Sequence, residues 1–181
     1  MGILNLTPDS FYVASRNYNS INLFRHIENI AKADIIDVGA ESSRPGAKSI
    51  TVEAEIERLK PILPIIEKYP NILFSIDTYK PEVAEFALNG GFSIINDIKG
   101  GRNTGMLDIA FKHDVPIILM HMLGTPINMQ LNPQYTDVID DLFTYFNNIT
   151  NYAESIGIKK ENIIIDPGIG FGKNKVHNQI I

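Results

Sequence analysis

Short runs of apolar residues alternate along the chain with longer segments in which apolar residues recur every three or four positions. The runs are rich in Ile, Val and Leu with few polar interruptions, which is typical of strands that are buried on both faces. We predict six strands, over residues 2–6, 34–38, 72–76, 93–96, 116–120 and 162–165. The segments between them have helical periodicity, so the whole pattern predicts an α/β fold with a parallel sheet.

Helical faces and helix-breaking residues support this division. One face recurs at Ile21, Phe24, Ile27 and Ile30, and a second recurs at Val138, Leu142, Phe146, Ile149, Ala153 and Ile156. Pro81 suits the first turn of a helix that runs into Asn89-Gly90-Gly91, and Gly157 suits the position after a helix end. Pro61 and Pro64 lie inside another helical pattern, where we expect a kink or a break.

Polar residues at the carboxyl ends of the strands separate a barrel from an open sheet. They are Asn5, Asp37, Asp77, Asn96, Asp97, His121 and Asp166. In a (β/α)8 TIM barrel all such positions converge on one mouth, whereas an open sheet brings together only those beside its switch point. No GxGxxG follows the first strand. We therefore predict a barrel that is incomplete over the single domain 1–181, because closure needs eight units and the pattern supplies six.

Composition excludes several classes of protein. The formal net charge of −5 provides no general basic field, so we expect no nucleic-acid partner. No apolar run approaches the ~20 residues of a membrane helix, and we expect no membrane partner. The chain has no cysteine, which removes disulfides and thiolate metal sites and fits a cytoplasmic location.

Each strand end carries a short motif. In chain order these are GILNLTPDSF from Gly2, DVGAESSRPG from Asp37, SIDT from Ser75, NDI from Asn96, LMHM from Leu119 and DPGIGFGK from Asp166. The ordered set resembles the dihydropteroate synthases, which are pterin-binding barrel enzymes, and the resemblance covers essentially all 181 residues. The pterin-binding methyltransferases that act on methyltetrahydrofolate are an alternative, but TPDSF and ESSRPG resemble the synthases more closely.

The resemblance implies a transferase of folate biosynthesis. The expected reaction joins 6-hydroxymethyl-7,8-dihydropterin pyrophosphate to 4-aminobenzoate, with Mg²⁺ as the cofactor, and releases 7,8-dihydropteroate and pyrophosphate. The residues expected to hold the pterin are Asp77, Asn96, Met120 and Asp166. Those expected at the pyrophosphate and aminobenzoate, where sulfonamides compete, are Phe11, Ser43, Arg44, Pro45 and Phe171. Asn5 is expected to help hold Mg²⁺.

Structural roles are the alternative for several of these residues. Asp77 could be an acid near a helix start, Asn96 and Asp166 could be turn residues, and His121 suits a hydrogen-bonded strand-end histidine better than a catalyst. We expect a buried carboxylate that accepts two pterin N–H groups to stay ionised. Asp37 and Asp97 stay undecided between structural and functional roles.

Two departures from the family pattern limit the expected activity. Val13 stands where the family has an aspartate in its first loop. The family's Ser-Arg-Lys and Arg-x-His segments, after strands seven and eight, have no counterpart in residues 1–181. Without them the nearby cations are Arg44 and Lys173, so we expect this chain alone to be nearly inactive, either as a truncated enzyme or as a pterin-binding relic. The resemblance also implies a homodimer for the complete protein.

Overall fold

Six parallel strands form one sheet in the computed structural model, which describes residues 1–7, 20–42, 48–102 and 104–181. The strands are β1 (Gly2–Asn5), β2 (Ile35–Gly39), β3 (Leu73–Asp77), β4 (Ile94–Asp97), β5 (Ile117–Met120) and β6 (Ile163–Asp166). Every bound lies within one residue of the bound expected from the apolar runs. The six predicted strands are thus confirmed.

Helices follow the strands. They are α1 (Ser20–Ile30), α2 (Val52–Leu59), α3 (Leu63–Ile66), α4 (Pro81–Asn89), α5 (Thr104–His113), α6 (Val138–Ser155) and α7 (Lys175–Ile180). The predicted break at Pro61 is confirmed, because a turn of 3₁₀ helix at 60–62 separates α2 from α3. Gly157, with a φ of 103°, follows the end of α6 as expected. None of the described helices is long and apolar enough to cross a membrane.

The order of the strands in the sheet is the order of the strands in the chain. Each strand pairs in parallel with the next one, from β1 to β6. A doubly wound sheet reverses its order at a switch point, and no reversal occurs here. The arrangement is that of a barrel wall. Across the described residues the wall is open, because β1 pairs only with β2 and β6 only with β5.

The main core lies between the sheet and its helices. It is formed by fully buried residues of alternate strand positions, among them Leu4, Ile36, Val38, Phe74, Ile76, Ile95 and Ile117, packed against Ile27, Leu59, Val83 and Leu107. Each fully buried side chain of this size contributes about 1.5–3 kcal/mol of transfer free energy. Because strand side chains alternate between faces, the intervening residues project from the other face of the sheet, which carries the polar strand ends.

Candidate active site at the carboxyl ends of the strands

One row of the sheet brings three of the predicted polar residues together. Asn5 pairs with Gly39, Gly39 with Asp77, and Asp77 with Asn96. Gly39 leaves the space between its neighbours open: an added Cβ would lie 3.1 Å from Asp77 Oδ2 and 3.6 Å from Asn5 Oδ1. The described structure therefore places the amide oxygen of Asn5 and the carboxylate of Asp77 on either side of one glycine.

Asp77 is a perturbed carboxyl rather than a helix cap. The residue at the cap of α4 is Lys80, three positions later. Burial raises the pKa of Asp77 well above its usual value, and neighbouring carboxylates raise it further; they belong to Asp37, Glu55, Asp97 and Glu41. The sequence analysis expects Asp77 to be ionised when it accepts the N–H groups of a bound pterin. Without such a ligand, burial and these carboxylates make the ionised form of Asp77 less favourable, and hydrogen bonds donated by a ligand would act in the opposite direction.

Asn96 is oriented by a carboxylate beneath it. Its Nδ2 donates to Asp37 Oδ2 at 3.0 Å. Asp37 is buried, and burial raises the pKa of its carboxyl although the Asn96 amide favours the ionised form. Because one N–H of the amide is engaged by Asp37, the carbonyl oxygen and the second N–H of Asn96 are left for a ligand. Asp37, whose role the sequence left undecided, thus positions Asn96.

Asp166 combines a turn contact with a place at the mouth. Its Oδ1 accepts from the backbone N–H of Gly168 at 2.8 Å. This is the contact expected if Asp166 is a turn residue. Its backbone pairs with Met120 across the edge of the sheet. Gly168, at a φ of 68°, approaches β5 so closely that an added Cβ would lie 2.0 Å from the His121 carbonyl oxygen. The Asp-Pro-Gly segment therefore fixes Asp166 beside the end of β5.

An apolar wall adjoins these polar groups. Met120 belongs to a small buried cluster with Ile98, Met122 and Met129, and Phe171 and Tyr79 pack against it. The structure thus brings together Met120, expected at the pterin, and Phe171, expected at the aminobenzoate, in one apolar surface. A cavity of about 180 Å³ lies beside this wall, and its lining includes Asp77, Thr78, Ile98, Lys99 and Thr125.

An ion network beside the cavity was not predicted from the sequence. Lys80 Nζ contacts Glu41 and lies 2.6 Å from Oε2 of the buried Glu55. The Tyr79 hydroxyl donates to Glu41 at 2.7 Å. Burial would lower the pKa of Lys80, but its hydrogen bonds to Glu41 and Glu55 outweigh this and the pKa lies above its usual value. Glu41 stands in the ESSRPG motif, so its position was visible, but its partners were not.

The remaining strand-end residues have structural contacts. Asp97 is fully buried and accepts from the backbone N–H groups of Lys99 and Gly101, both at 2.8 Å. His121 is buried with its Nδ1 3.1 Å from Lys173 Nζ, which matches the expected strand-end histidine. Lys173, which the sequence analysis counted as a nearby cation, is a buried residue, 2% exposed, and its Nζ contacts a loop carbonyl.

Four of the predicted site residues lie outside the described residues. They are Phe11, Ser43, Arg44 and Pro45, and the altered loop residue Val13 lies there as well. Their assignment to the pyrophosphate and aminobenzoate stays a prediction. The other six, Asn5, Asp77, Asn96, Met120, Asp166 and Phe171, all lie at the carboxyl ends of strands or directly after them.

A barrel wall with two carboxyls and an amide at its mouth, beside an apolar wall, is the arrangement that the motifs predicted. The family model of the pterin binding enzymes matches residues 1–181. The chain belongs to this family. Within it, the dihydropteroate synthase of Escherichia coli is 43% identical over 180 residues, which is 98% of this chain and 64% of that protein. The chain thus spans slightly less than two thirds of that relative.

Solved structures of the family match the fold. The dihydropteroate synthase of Yersinia pestis, solved as a complex with a sulfonamide drug, superposes with a TM-score of 0.90 at 37% identity, over 99% of this chain and 66% of that one. That of Xanthomonas albilineans, solved with 4-aminobenzoic acid, gives a TM-score of 0.85 at 37% identity, over 99% and 64%. The barrel-type wall is therefore a family property.

Proposed function

We propose that the protein is a dihydropteroate synthase, which joins a dihydropterin pyrophosphate to 4-aminobenzoate. The observation that carries the proposal is the row of Asn5, Asp77 and Asn96 at the mouth of the wall, in a chain 43% identical to the synthase of E. coli. The similar proteins described above are synthases, one of them solved with 4-aminobenzoic acid. This favours the synthase over a methyltransferase of the same family.

The polar groups select for a ligand edge that is rich in hydrogen-bond donors. Asn96 offers its carbonyl oxygen, with one N–H held by Asp37, and Asp77 and Asp166 offer carboxylate oxygens. A pterin carries an amino group and ring N–H groups on one edge, which suits such a set of acceptors. Donation from these groups would favour the ionised form of Asp77, against the burial that raises its pKa.

The same carboxylates suit the proposed reaction. The carbon–oxygen bond between the pterin methylene and the pyrophosphate breaks, the aminobenzoate amine forms a carbon–nitrogen bond, and the amine loses a proton. Positive charge develops on the pterin as pyrophosphate leaves, and fixed negative groups beside the ring stabilise it. Met120 and Phe171 provide apolar surface beside these carboxylates. That surface would exclude water from the reacting carbon.

The proposal includes Mg²⁺ as an ion that binds together with the pyrophosphate of the substrate. The described residues contain no group of three Asp, Glu or His side chains that could hold a metal ion. Mg²⁺ commonly takes one or two protein oxygens and completes its shell with substrate phosphates and water. The exposed Asn5, whose oxygen lies beside Gly39, fits such a single-ligand role. When bound there, Mg²⁺ would neutralise charge on the departing pyrophosphate.

The test measures pterin binding and turnover separately. Calorimetry with a dihydropterin pyrophosphate analogue measures binding to residues 1–181, and to Asp77→Ala and Asp166→Ala. Asp114→Asn is the matched control, because Asp114 is an exposed carboxylate paired with Lys159, and asparagine tolerates its φ of 50°. We expect each mouth variant to weaken binding at least about tenfold, as loss of a charged hydrogen bond does, and the control to leave it unchanged.

Turnover is measured as pyrophosphate release that depends on aminobenzoate and Mg²⁺. Residues 1–181 are compared with a chain completed by the corresponding C-terminal segment of the E. coli synthase. We expect activity only in the completed chain. Pterin binding without turnover in either chain would favour a pterin-binding relic, and failure to bind pterin would refute the proposal. The homodimer and the cytoplasmic location stay predictions.

A further inference from the structure

Lys173 is a buried cation that no described carboxylate contacts. The residue is 2% exposed. Its Nζ lies 3.2 Å from the carbonyl oxygens of His121 and Gly168, 3.1 Å from that of Phe171, and 3.1 Å from His121 Nδ1. Burying a charge costs several kcal/mol unless hydrogen bonds replace those made to water. The four acceptors around Nζ can replace the hydrogen bonds that the ammonium would make to water.

The four acceptors around Nζ suit an ammonium group. An ammonium has three donors and no acceptor, whereas carbonyl oxygens only accept. Burial and the Lys173 charge hold the pKa of His121 at about 4, so its ring is neutral at pH 7 and can accept through Nδ1. Burial lowers the pKa of Lys173 to about 8, which still leaves the ammonium as the main form at pH 7.

The contacts join two parts of the mouth. Gly168 and Phe171 lie in the loop after β6, and His121 directly follows β5. The same loop carries the turn in which Gly168 N–H donates to Asp166, and Phe171 N–H donates to the Gly168 carbonyl at 3.0 Å. The ammonium therefore binds at the point where the loop, the strand end and the Asp166 turn meet.

We propose that Lys173 is a positioning residue: its ammonium ties the loop after β6 to the end of β5 and so sets the places of Asp166 and Phe171. This inference rests on the proposed function for its effect on pterin binding. A direct contact between Lys173 and an anionic substrate is a different role. It would require the side chain to leave the acceptors that surround it.

The absence of cysteine from the sequence permits a chemical test of the charge. Lys173→Cys is alkylated in denaturant with 2-bromoethylamine, which rebuilds a lysine-like ammonium, or with iodoacetamide, which gives a neutral adduct of similar length, and is then refolded. Lys112→Cys receives the same treatment as the control, because Lys112 is exposed and pairs with Glu85 at the surface. The unaltered protein passes through the same refolding step, and Lys173→Met is prepared without refolding.

Two measurements follow on each product. One is the dissociation constant of the pterin analogue. The other is hydrogen exchange at the amides of Gly168 and Phe171, which needs no ligand. We expect the neutral adduct and Lys173→Met to raise the dissociation constant of the pterin analogue about tenfold or more. We expect the exchange rates of both amides to rise by a similar factor. The ammonium adduct at position 173 should restore both the dissociation constant and the exchange rates. The adducts at position 112 should change neither quantity.

Equal binding and equal exchange for the charged and neutral adducts at Lys173 would overturn the inference. If binding recovers with the charge while the amides exchange alike, the ammonium contacts the ligand and does not position the loop. If the unaltered protein binds no pterin, the proposed function fails, but the exchange measurement still decides whether the ammonium holds the loop.

Discussion

Two glycines of the loop after β6 provide a matched pair of substitutions. Gly168 has a φ of 68° and Gly170 a φ of 83°, so alanine at either position must adopt a left-handed backbone. That conformation costs an L-residue about 1 kcal/mol. The two positions differ in space: a Cβ at Gly168 would lie 2.0 Å from the His121 carbonyl oxygen, whereas a Cβ at Gly170 has nothing within 4 Å.

The difference in space sets the expected difference in stability. Gly170→Ala should lower the free energy of unfolding by about 1 kcal/mol, from the backbone alone. Gly168→Ala meets a backbone atom that cannot rotate away, and overpacking of this kind adds about 2 kcal/mol. We therefore expect a total loss of about 3 kcal/mol for Gly168→Ala.

Urea denaturation followed by far-ultraviolet circular dichroism measures both variants. With a slope of about 2 kcal/mol per molar urea, the midpoints of the two variants should differ by about 1 M. Gly168→Ala should also weaken pterin binding, because the loop must move away from β5 and take Asp166 with it. Equal midpoints for the two variants, or a lower midpoint for Gly170→Ala, would refute the close contact between Gly168 and the His121 carbonyl.

Four further substitutions, one of them a control, test other parts of the molecule. The pKa of Asp77 in the folded protein lies above the usual 3.8, so its ionised form costs stability above that pH. Asp77→Asn should therefore raise the urea midpoint at neutral pH, and this gain in stability should disappear as the pH falls towards 3.8. The same substitution should abolish pterin binding. Lys80→Met leaves two largely buried carboxylates without their cation and should lower the free energy of unfolding by about 3 kcal/mol. Lys60→Met removes one partner of an exposed ion pair and should lower it by less than about 0.5 kcal/mol in the same urea titration. Asp137→Ala removes the side chain that caps α6 and should lower the free energy of unfolding by about 1 kcal/mol; an unchanged thermal midpoint would contradict that cap.

The strands were predictable because each is a compact apolar run between residues that end it. Pro61 also marked a true break, since its missing N–H and its ring prevent a regular helix there. The row of Asn5, Asp77 and Asn96 followed from the convergence of strand ends on one mouth. These features depend on local pattern and on the general geometry of parallel sheets, which a single sequence contains.

The direction of long charged side chains was not predictable. Lys173 follows a glycine-rich loop and could face the substrates or turn beneath the loop, and only the packing of that loop on β5 decides between them. The partners of Lys80 lie 39 and 25 positions away along the chain, so no local pattern indicates them. The raised pKa of Asp77 was not predictable for a similar reason, because it depends on burial and on carboxylates from several separate segments.

The hydrogen bond between Asn96 and Asp37 has a consequence for how this protein could change its ligand. The acid at position 37 accepts from the amide nitrogen of Asn96, which favours the orientation with the amide oxygen directed away from that acid. An aspartate at position 96 would face the acid at position 37, and a reversed amide would require a donor there. A switch towards ligands with acceptor edges therefore needs both positions to mutate together, and each single mutation passes through an unfavourable pair. Such coupling would make the pair resistant to drift over evolutionary time.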